Sequence, residues 1–522
     1  MNGADERHKR QQKTVELRRV AREDALEERR RCTQAPKGAM FASSSSSSGN
    51  AMLALPQDLE QCRQMHEENM GALPVYLAYL ANDVLCRQQP HIWLTATAGL
   101  RRLLSVDPTE TIPAVMGHQG GVVLRRIVEG LGVVAMPQLV FESAWVVTNL
   151  FFETACANVL VELGVMPALM HLIVSTPHAD IRGRCMWALR NLASGTLVHQ
   201  RLVLSTGIVG LVAPMLASPE QFDLEQLEMV CGLMANLAKH RTPLEHFTAI
   251  LPSVAALMHV DQSTEVARQV LAMVEYFVTD DVSPHPRVSY IFAYERGMLV
   301  QKLIKMLLHR HINVRLHALR ALGQLAMGDA HETAQMHQWG VLERIRLLAS
   351  STRDARELYQ TLFVVSNLAA SKSDEQIGQL VHQGFVQLLI NSVRKSHDDR
   401  ARLEAIYALG YLAMGYNATY TRFMVESCRV CDVLVEQLGS PNCDIVYRSL
   451  TALKAILGTG DQQATAYNRA HSEVDVEQAN PYVSVVRACG GFDVIEELQN
   501  HETTDVHKLA SALVCKYMAD ED

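Results

Sequence analysis

MWALRNLASG, residues 186–195, decides the fold, because the chain keeps returning to it. A near copy, AWVVTNL, stands at 144–150. Weaker copies follow: GLMANLAKH at 232–240, ALRALGQLAMGD at 318–329, LFVVSNLAAS at 362–371 and IYALGYLAMG at 406–415. Aligned on the polar or tyrosyl residue after the apolar triplet, the copies fall at Asn149, Asn191, Asn236, Tyr276, Gln324, Asn367 and Tyr411, at intervals of 42, 45, 40, 48, 43 and 44 residues. A period in the low forties marks a helical solenoid of armadillo or HEAT type. The expected fold is all-α, an armadillo-repeat right-handed superhelical solenoid of about ten repeats.

Outward from each phrase the pattern is regular. A loop follows, then a helix closing on glycine, then a helix that opens with apolar residues. Examples are VELGVMPALMHLI (161–173), STGIVGLVAPML (205–216), HQWGVLERIRLL (337–348) and HQGFVQLLINSV (382–393). Glycine at such a corner supplies the positive φ that ends one helix and starts the next at a steep angle. TATAGLRRLLS (95–105) and RSLTALKAILGTGD (448–461) lack the polar anchor, as end repeats with solvent on one side do. The array is expected over 72–520. Ahead of it, GAMFASSSSSSGN (38–50) reads as a flexible tether within a linker over 38–71. Residues 1–37 form a basic arm. Its Val15, Leu17, Val20 and Leu26 could share one side of a helix, yet it is too polar to bury a face unaided.

A length of 522 residues would otherwise suggest about three or four globular domains, but the repeat replaces them with one quasi-linear array. Apolar residues make up 48% of the chain, ample for a continuous core between repeats. No apolar run approaches the ~18 residues of a membrane span, and MNGADERHKRQQK lacks the apolar region of a secretory signal. A soluble intracellular protein is expected. Cys156, Cys185, Cys231 and Cys515 read as small core residues in a reducing compartment. Cys428 and Cys431, with Cys443 further on, lack a fourth ligand at finger-like spacing, so no metal and no cofactor are expected. Net charge is −8 and unevenly placed: the arm holds eleven Lys/Arg against seven Asp/Glu, a net of +4, which leaves −12 on the rest. A basic arm ahead of an acidic body suggests that the arm binds something acidic, and the acidic body argues against direct nucleic-acid binding.

Residues four apart share a helix face, so Trp145/Asn149 and Trp187/Asn191 each present a ring beside an amide. One Trp in a helix is usually core and one Asn usually a cap; two such pairs at repeat spacing point to a groove. There the amides can grip the backbone of an extended peptide. The rings can wall slots for the stems of Lys or Arg, with cation–π attraction of ~0.5–2 kcal/mol each. Phe363/Asn367 is a weaker pair. Gly232, Ala272 and Arg320 stand where a ring would be expected, and Tyr407/Tyr411 keeps a ring without the amide.

Arm, tether, ladder and tail together resemble the importin-α (karyopherin-α) family, adaptors that carry nuclear-localisation-signal cargo to importin-β. VELRRVAREDALEERRR is similar to the family's importin-β-binding arm, NPYVSVVRACGGFDVIEELQNHE (480–502) to its C-terminal segment, and VEYFVTDD (274–281) to its fourth-to-fifth repeat phrase. The resemblance implies a major cargo site of Glu142, Trp145, Asn149, Glu153, Trp187, Asn191 and Asn236. It implies a minor site of Arg320, Gln324, Phe363, Asn367, Glu404 and Tyr407, with Glu142 and Glu404 matching the family's rim acids while Arg184 and Gln360 do not. Lys9, Arg10, Arg18, Arg19, Arg22, Arg29, Arg30 and Arg31 would then bind importin-β or, as a cargo mimic, the chain's own groove. The family's lysine-pocket aspartate is replaced by Gly195; either Glu153 supplies that carboxylate from the neighbouring repeat or it is a solvated loop residue.

The function expected is a nuclear import adaptor shuttling between cytoplasm and nucleus. By resemblance its partners are importin-β, basic signal-bearing cargo and, at the C-terminal repeats, a nuclear export receptor. An armadillo scaffold, or a divergent carrier of a non-classical partner, is the alternative. No phosphate loop, nucleophile elbow or metal tetrad points to an enzyme.

Overall fold

The computed structural model describes residue 71 and residues 73–118, 121–221, 223–239, 244–259, 261–279, 286–370, 373–414, 417–471 and 478–518. The arm residues Lys9, Arg10, Arg18, Arg19, Arg22, Arg29, Arg30 and Arg31 lie outside that set. Among the described residues every regular element is helical. The helices gather into two compact bodies, one ending at Ile250 and one beginning at Leu251. In the first, the recurring phrase and its counterparts lie on α1 (Pro90–Val106), α2 (Pro137–Leu150), α3 (Ala179–Ala193) and α4 (Leu224–Ala238). In the second, the corresponding helices are α5 (Thr264–Val278), α6 (Ile312–Leu325), α7 (Ala355–Ala369), α8 (Asp399–Ala413), α9 (Cys443–Ala470) and α10 (Thr504–Tyr517). Within each body successive members of the series pack on one another.

The starts of these helices follow from side-chain chemistry. Pro90 and Pro137 stand in first turns, where a missing N–H costs nothing. Asp223, Ser263, Asp354, Asp398 and Asn442 each accept a first-turn N–H, worth about 1 kcal/mol apiece. Packing contributes more. In α2 Leu139, Val140, Ala144, Val146, Val147 and Leu150 are buried, and at ~2 kcal/mol per large side chain this face outweighs any cap. What α2 leaves partly exposed includes the line Glu142, Trp145, Asn149, one helix stripe by spacing.

The corners are also as the sequence reading expects. Gly164 (φ 82°) and Gly207 (φ 77°) are left-handed and separate helices bent by 79° and 75°. No single described helix is long and apolar enough to cross a membrane. One corner departs from the rule: the left-handed residue is Arg429 (φ 54°), directly after Cys428.

Cys156, Cys185 and Cys231 are buried, but Cys515 is exposed, against expectation. It sits on α10, the last described helix of the series. Cys428 is half-buried, Cys431 buried and Cys443 exposed, all as free thiols. Burial pushes the Cys431 thiol up to about 12, and among the described residues no three His, Cys, Asp or Glu side chains are grouped to hold a metal. The C-terminal segment is tied to α9 through Asp461. Its carboxylate accepts from Asn480 Nδ2 (2.7 Å), Lys516 Nζ (2.6 Å) and Tyr517 Oη (2.7 Å).

Candidate functional site

The ladder asparagines have a structural task. Asn191 Nδ2 donates to the Thr148 carbonyl, Asn236 Nδ2 to that of Arg190 and Asn367 Nδ2 to that of Gly323, each at 2.9 Å. In every case the acceptor is the residue just before the preceding ladder position. Thr148 and Gly323 lie in the last turns of α2 and α6, where carbonyls have run out of N–H groups four residues on. Neither carbonyl receives a backbone donor outside its helix among the described residues. The amide of one repeat thus caps the helix of the repeat before it. Asn149 differs, donating at 3.0 Å to the hydroxyl of exposed Ser105. The Oδ1 atoms of Asn149, Asn191 and Asn236 accept no hydrogen bond from another described residue. Each can take an N–H from a bound main chain.

The rings beside them carry cations of the chain itself. The Arg184 guanidinium lies 3.8 Å from the Trp145 ring centroid, 4.8 Å from that of Trp187 and 5.5 Å from that of Phe141. Arg184 is 8% exposed, and its buried Nε has no hydrogen-bond partner. Burial, with help from Arg101, lowers its pKa to about 10, while Glu225, Glu142 and Asp180 act the other way. Arg101 lies over Trp145 at 4.5 Å and is held by Glu142 through two hydrogen bonds of 2.8 and 3.2 Å. Glu142, expected to receive cargo at the rim, is therefore engaged by its own chain. At Gly232, the position lacking a ring, Arg190 fills the space: a Cβ there would come within 2.5 Å of its Cζ and Nε.

The lysine-pocket positions are also taken up locally. A Cβ on Gly195 would meet His199 Nδ1 at 3.1 Å, and buried His199 is fixed by Asn158 Oδ1 at 2.8 Å. Glu153 is exposed, and its carboxylate makes no hydrogen bond or ion pair among the described residues; its charge is felt at Cys156 in the next helix.

In the second body the minor-site residues are more enclosed than the sequence reading supposes. Gln324, Phe363 and Asn367 are 6%, 5% and 9% exposed. Phe363 lies against Gly323, where a Cβ would approach it to 2.6 Å. Glu404 is corrected from rim acid to buried group: it is 1% exposed and accepts from Ser366 Oγ at 2.6 Å, a donor on α7 facing α8. Arg320 is partly exposed, 4.0 Å from Glu275, which also meets His317 Nδ1 at 2.5 Å. Tyr407 stacks on Tyr411 with centroids 6.2 Å apart, and Arg448 lies over Tyr407 at 4.4 Å. Burial raises the Tyr407 phenol.

Sequence reasoning missed Arg101, Arg190 and Arg448, and took Arg184 only as a departure from an expected rim acid. A signal was present for two of them: Arg184 and Arg448 each stand three residues before a slot position, hence on the same face as the slot.

The family profile described as "Atypical Arm repeat" matches residues 480–522. A second profile, "Proteasome non-ATPase 26S subunit", matches 168–471, a span inside the helical array of this chain. Among curated relatives, the chain is 26% identical to importin subunit alpha-1b of Oryza sativa subsp. japonica over 87% of this chain and 80% of the relative. It is 27% identical to importin subunit alpha-4 of Arabidopsis thaliana over 99% of this chain and 90% of the relative. Among solved structures, an engineered protein shares the fold, with TM-score 0.68 and 22% identity over 84% of this chain and 97% of that one. With an armadillo-type helical array and relatives that align along nearly its whole length, the chain belongs to the importin-α family as a divergent member.

Proposed function

We propose that this importin-α family member is a nuclear import adaptor that clamps an extended cargo segment along Asn149, Asn191 and Asn236. It would link that cargo to importin-β through the basic arm over 1–37. The observation that carries the reading is the line of unpartnered Oδ1 acceptors beside two partly exposed indoles. The arm arginines Arg18, Arg19, Arg22, Arg29, Arg30 and Arg31, with Lys9 and Arg10, are the proposed carrier contacts. The C-terminal repeats are the proposed export-receptor surface, and the protein shuttles between cytoplasm and nucleus. By family likeness the cargo is a basic signal, with Trp145 and Trp187 walling the slot, Glu153 at its rim, and Arg320, Gln324, Phe363, Asn367 and Tyr407 forming the minor site.

One observation favours a second reading of the cargo. The slot between Trp145 and Trp187 already holds a cation, Arg184, and a lysine stem entering there meets like charge. A divergent carrier of non-classical cargo fits that slot better.

The test is made on the full chain. Importin-β binding should be lost when Arg29, Arg30 and Arg31 are replaced by alanine. A lysine-rich bipartite peptide should bind and be weakened by Asn149→Ala. Retained importin-β binding after the arm change sinks the carrier link. A lysine-rich peptide that does not bind sinks the basic-cargo reading.

A further inference from the structure

The Arg184 guanidinium has aromatic rings against it and no carboxylate in direct contact; the charges of Glu225, Glu142 and Asp180 reach it only at longer range. It forms no ion pair or hydrogen bond among the described residues. Glu142, the carboxylate on the same stripe, is used by Arg101. Three residues past Trp187, Arg190 reaches over Gly232, also with no ion pair or side-chain hydrogen bond among the described residues. Residues 184, 187 and 191 share one face of α3, with 190 adjacent. The chain thus places two guanidinium groups without an ion pair on the helix that carries Trp187 and Asn191, one of them against the ring of Trp145.

A guanidinium stacked on rings is engaged on its faces and open at its edge, where its N–H donors match the spacing of a carboxylate or phosphate. Nε of Arg184 is buried without a hydrogen-bond partner, whereas its Nη groups are not among the buried unpartnered atoms and are the donors offered to a ligand. A cargo lysine would have to expel Arg184 from both indoles, forfeiting cation–π contacts, and would find Glu142 already neutralised. An anionic side chain needs no expulsion and supplies a countercharge in direct contact, which Glu225, Glu142 and Asp180 do not.

We propose that the Trp145–Trp187 slot of the first body receives an oxyanion side chain, glutamate, aspartate or phosphoserine, of an extended peptide. Arg184 grips the oxyanion and Arg190 favours a second anion further along. This rests on the reading of the ladder as a peptide-binding face and specifies which peptides it takes. Asn149 and Asn191 hold the main chain, and Arg184 selects the side chain.

The experiment titrates the full chain with labelled peptides of equal length whose central residues are glutamates, phosphoserines or the lysines of a bipartite signal. Anisotropy and quenching of tryptophan emission are followed, with inorganic phosphate alone as a control. The glutamate or phosphoserine peptide should bind at least about tenfold tighter than the lysine peptide, the scale of one charge-assisted pair. Arg184→Gln should abolish that preference, Arg184→Lys should keep much of it, and Arg184→Glu should reverse it toward lysine. The two anionic peptides separate carboxylate from phosphate recognition. Unchanged far-ultraviolet circular dichroism in the variants establishes that they fold. Tight lysine-peptide binding that is sensitive to Asn149→Ala overturns the proposal and keeps the adaptor reading. Anionic binding indifferent to Arg184→Gln overturns it too. Binding of none of the peptides overturns both.

Discussion

Replacing the ladder asparagines one at a time by alanine should destabilise the array by amounts graded according to the carbonyl each leaves behind. Asn191 and Asn367 are 6% and 9% exposed and supply the side-chain donor to the Thr148 and Gly323 carbonyls. Neither carbonyl has a backbone donor outside its helix among the described residues. Alanine at either position strands a buried acceptor, which costs about 1–3 kcal/mol. At Asn236 the Arg190 carbonyl keeps a second donor, Ser194 N at 3.1 Å, so the loss should be about 0.5–1 kcal/mol. Asn149 bonds only an exposed hydroxyl, which water replaces, and the loss should fall below about 0.5 kcal/mol. A repeat array opens piecewise, so one global melting temperature is a poor measure. Native-state hydrogen exchange read segment by segment is the better assay. A loss of about 2 kcal/mol corresponds to about thirtyfold faster exchange, in α2 and α3 for Asn191→Ala and in α6 and α7 for Asn367→Ala. Asn149→Ala should change exchange less than about threefold. Equal losses at all four positions, or the largest at Asn149, would refute the capping argument and leave the asparagines as ligand contacts alone.

Two further outcomes follow from local chemistry. Arg429 holds a left-handed conformation (φ 54°) that costs a non-glycine residue about 1 kcal/mol, and its exposed pair with Asp432 returns little. Arg429→Gly should therefore slow native-state hydrogen exchange in the segment 430–436 that follows the corner, and faster exchange there would show that the corner is held by the side chain. At Asp461, burial alone would raise the carboxyl, but hydrogen bonds from Lys516, Tyr517 and Asn480 outweigh it and hold the group below the ordinary carboxylate range. A depressed carboxylate contributes stability that is complete above the unfolded value of about 3.9 and lost as pH falls through the lower folded value. Protection of α10 from proteolysis should accordingly fall below about pH 4 in the wild type, while Asp461→Asn should be weakened already at neutral pH and show less of that acid dependence.

The fold was legible because its signals are local and repeated: a period, corner glycines such as Gly164 and Gly384, and first-turn caps such as Asp354. Arg429 was hidden because the corner rule names glycine, and Cys515 because a composition rule takes no account of which helix comes last. The site was half legible. Trp145, Asn149, Trp187 and Asn191 were found by spacing, but what they touch depends on the neighbouring repeat, some forty residues away in sequence. The sequence reading compared Arg184 only with an expected acid. That its guanidinium would lie 3.8 Å from the ring of the preceding repeat is a fact of repeat stacking, which one helix's periodicity does not contain. Glu404 was misplaced for the same reason, its partner Ser366 lying on α7.

That stacking also explains how such an array can change ligand without changing fold. The ladder amide is committed through Nδ2 to capping the previous helix, so its loss carries a stability penalty whatever the chain binds. The residue three before a slot carries no such duty where it reaches only the ring of the preceding repeat. Arg184 lies over Trp145, and Arg448, at the same offset in α9, lies over Tyr407 of α8 at 4.4 Å. Exchanging that residue alters the charge offered to a bound side chain while the capped helices beneath stay as they were. A change at one position per slot is thus enough to give such a slot a cation. At Asn191 and Asn367 the fold has a use for the amide that does not depend on the ligand.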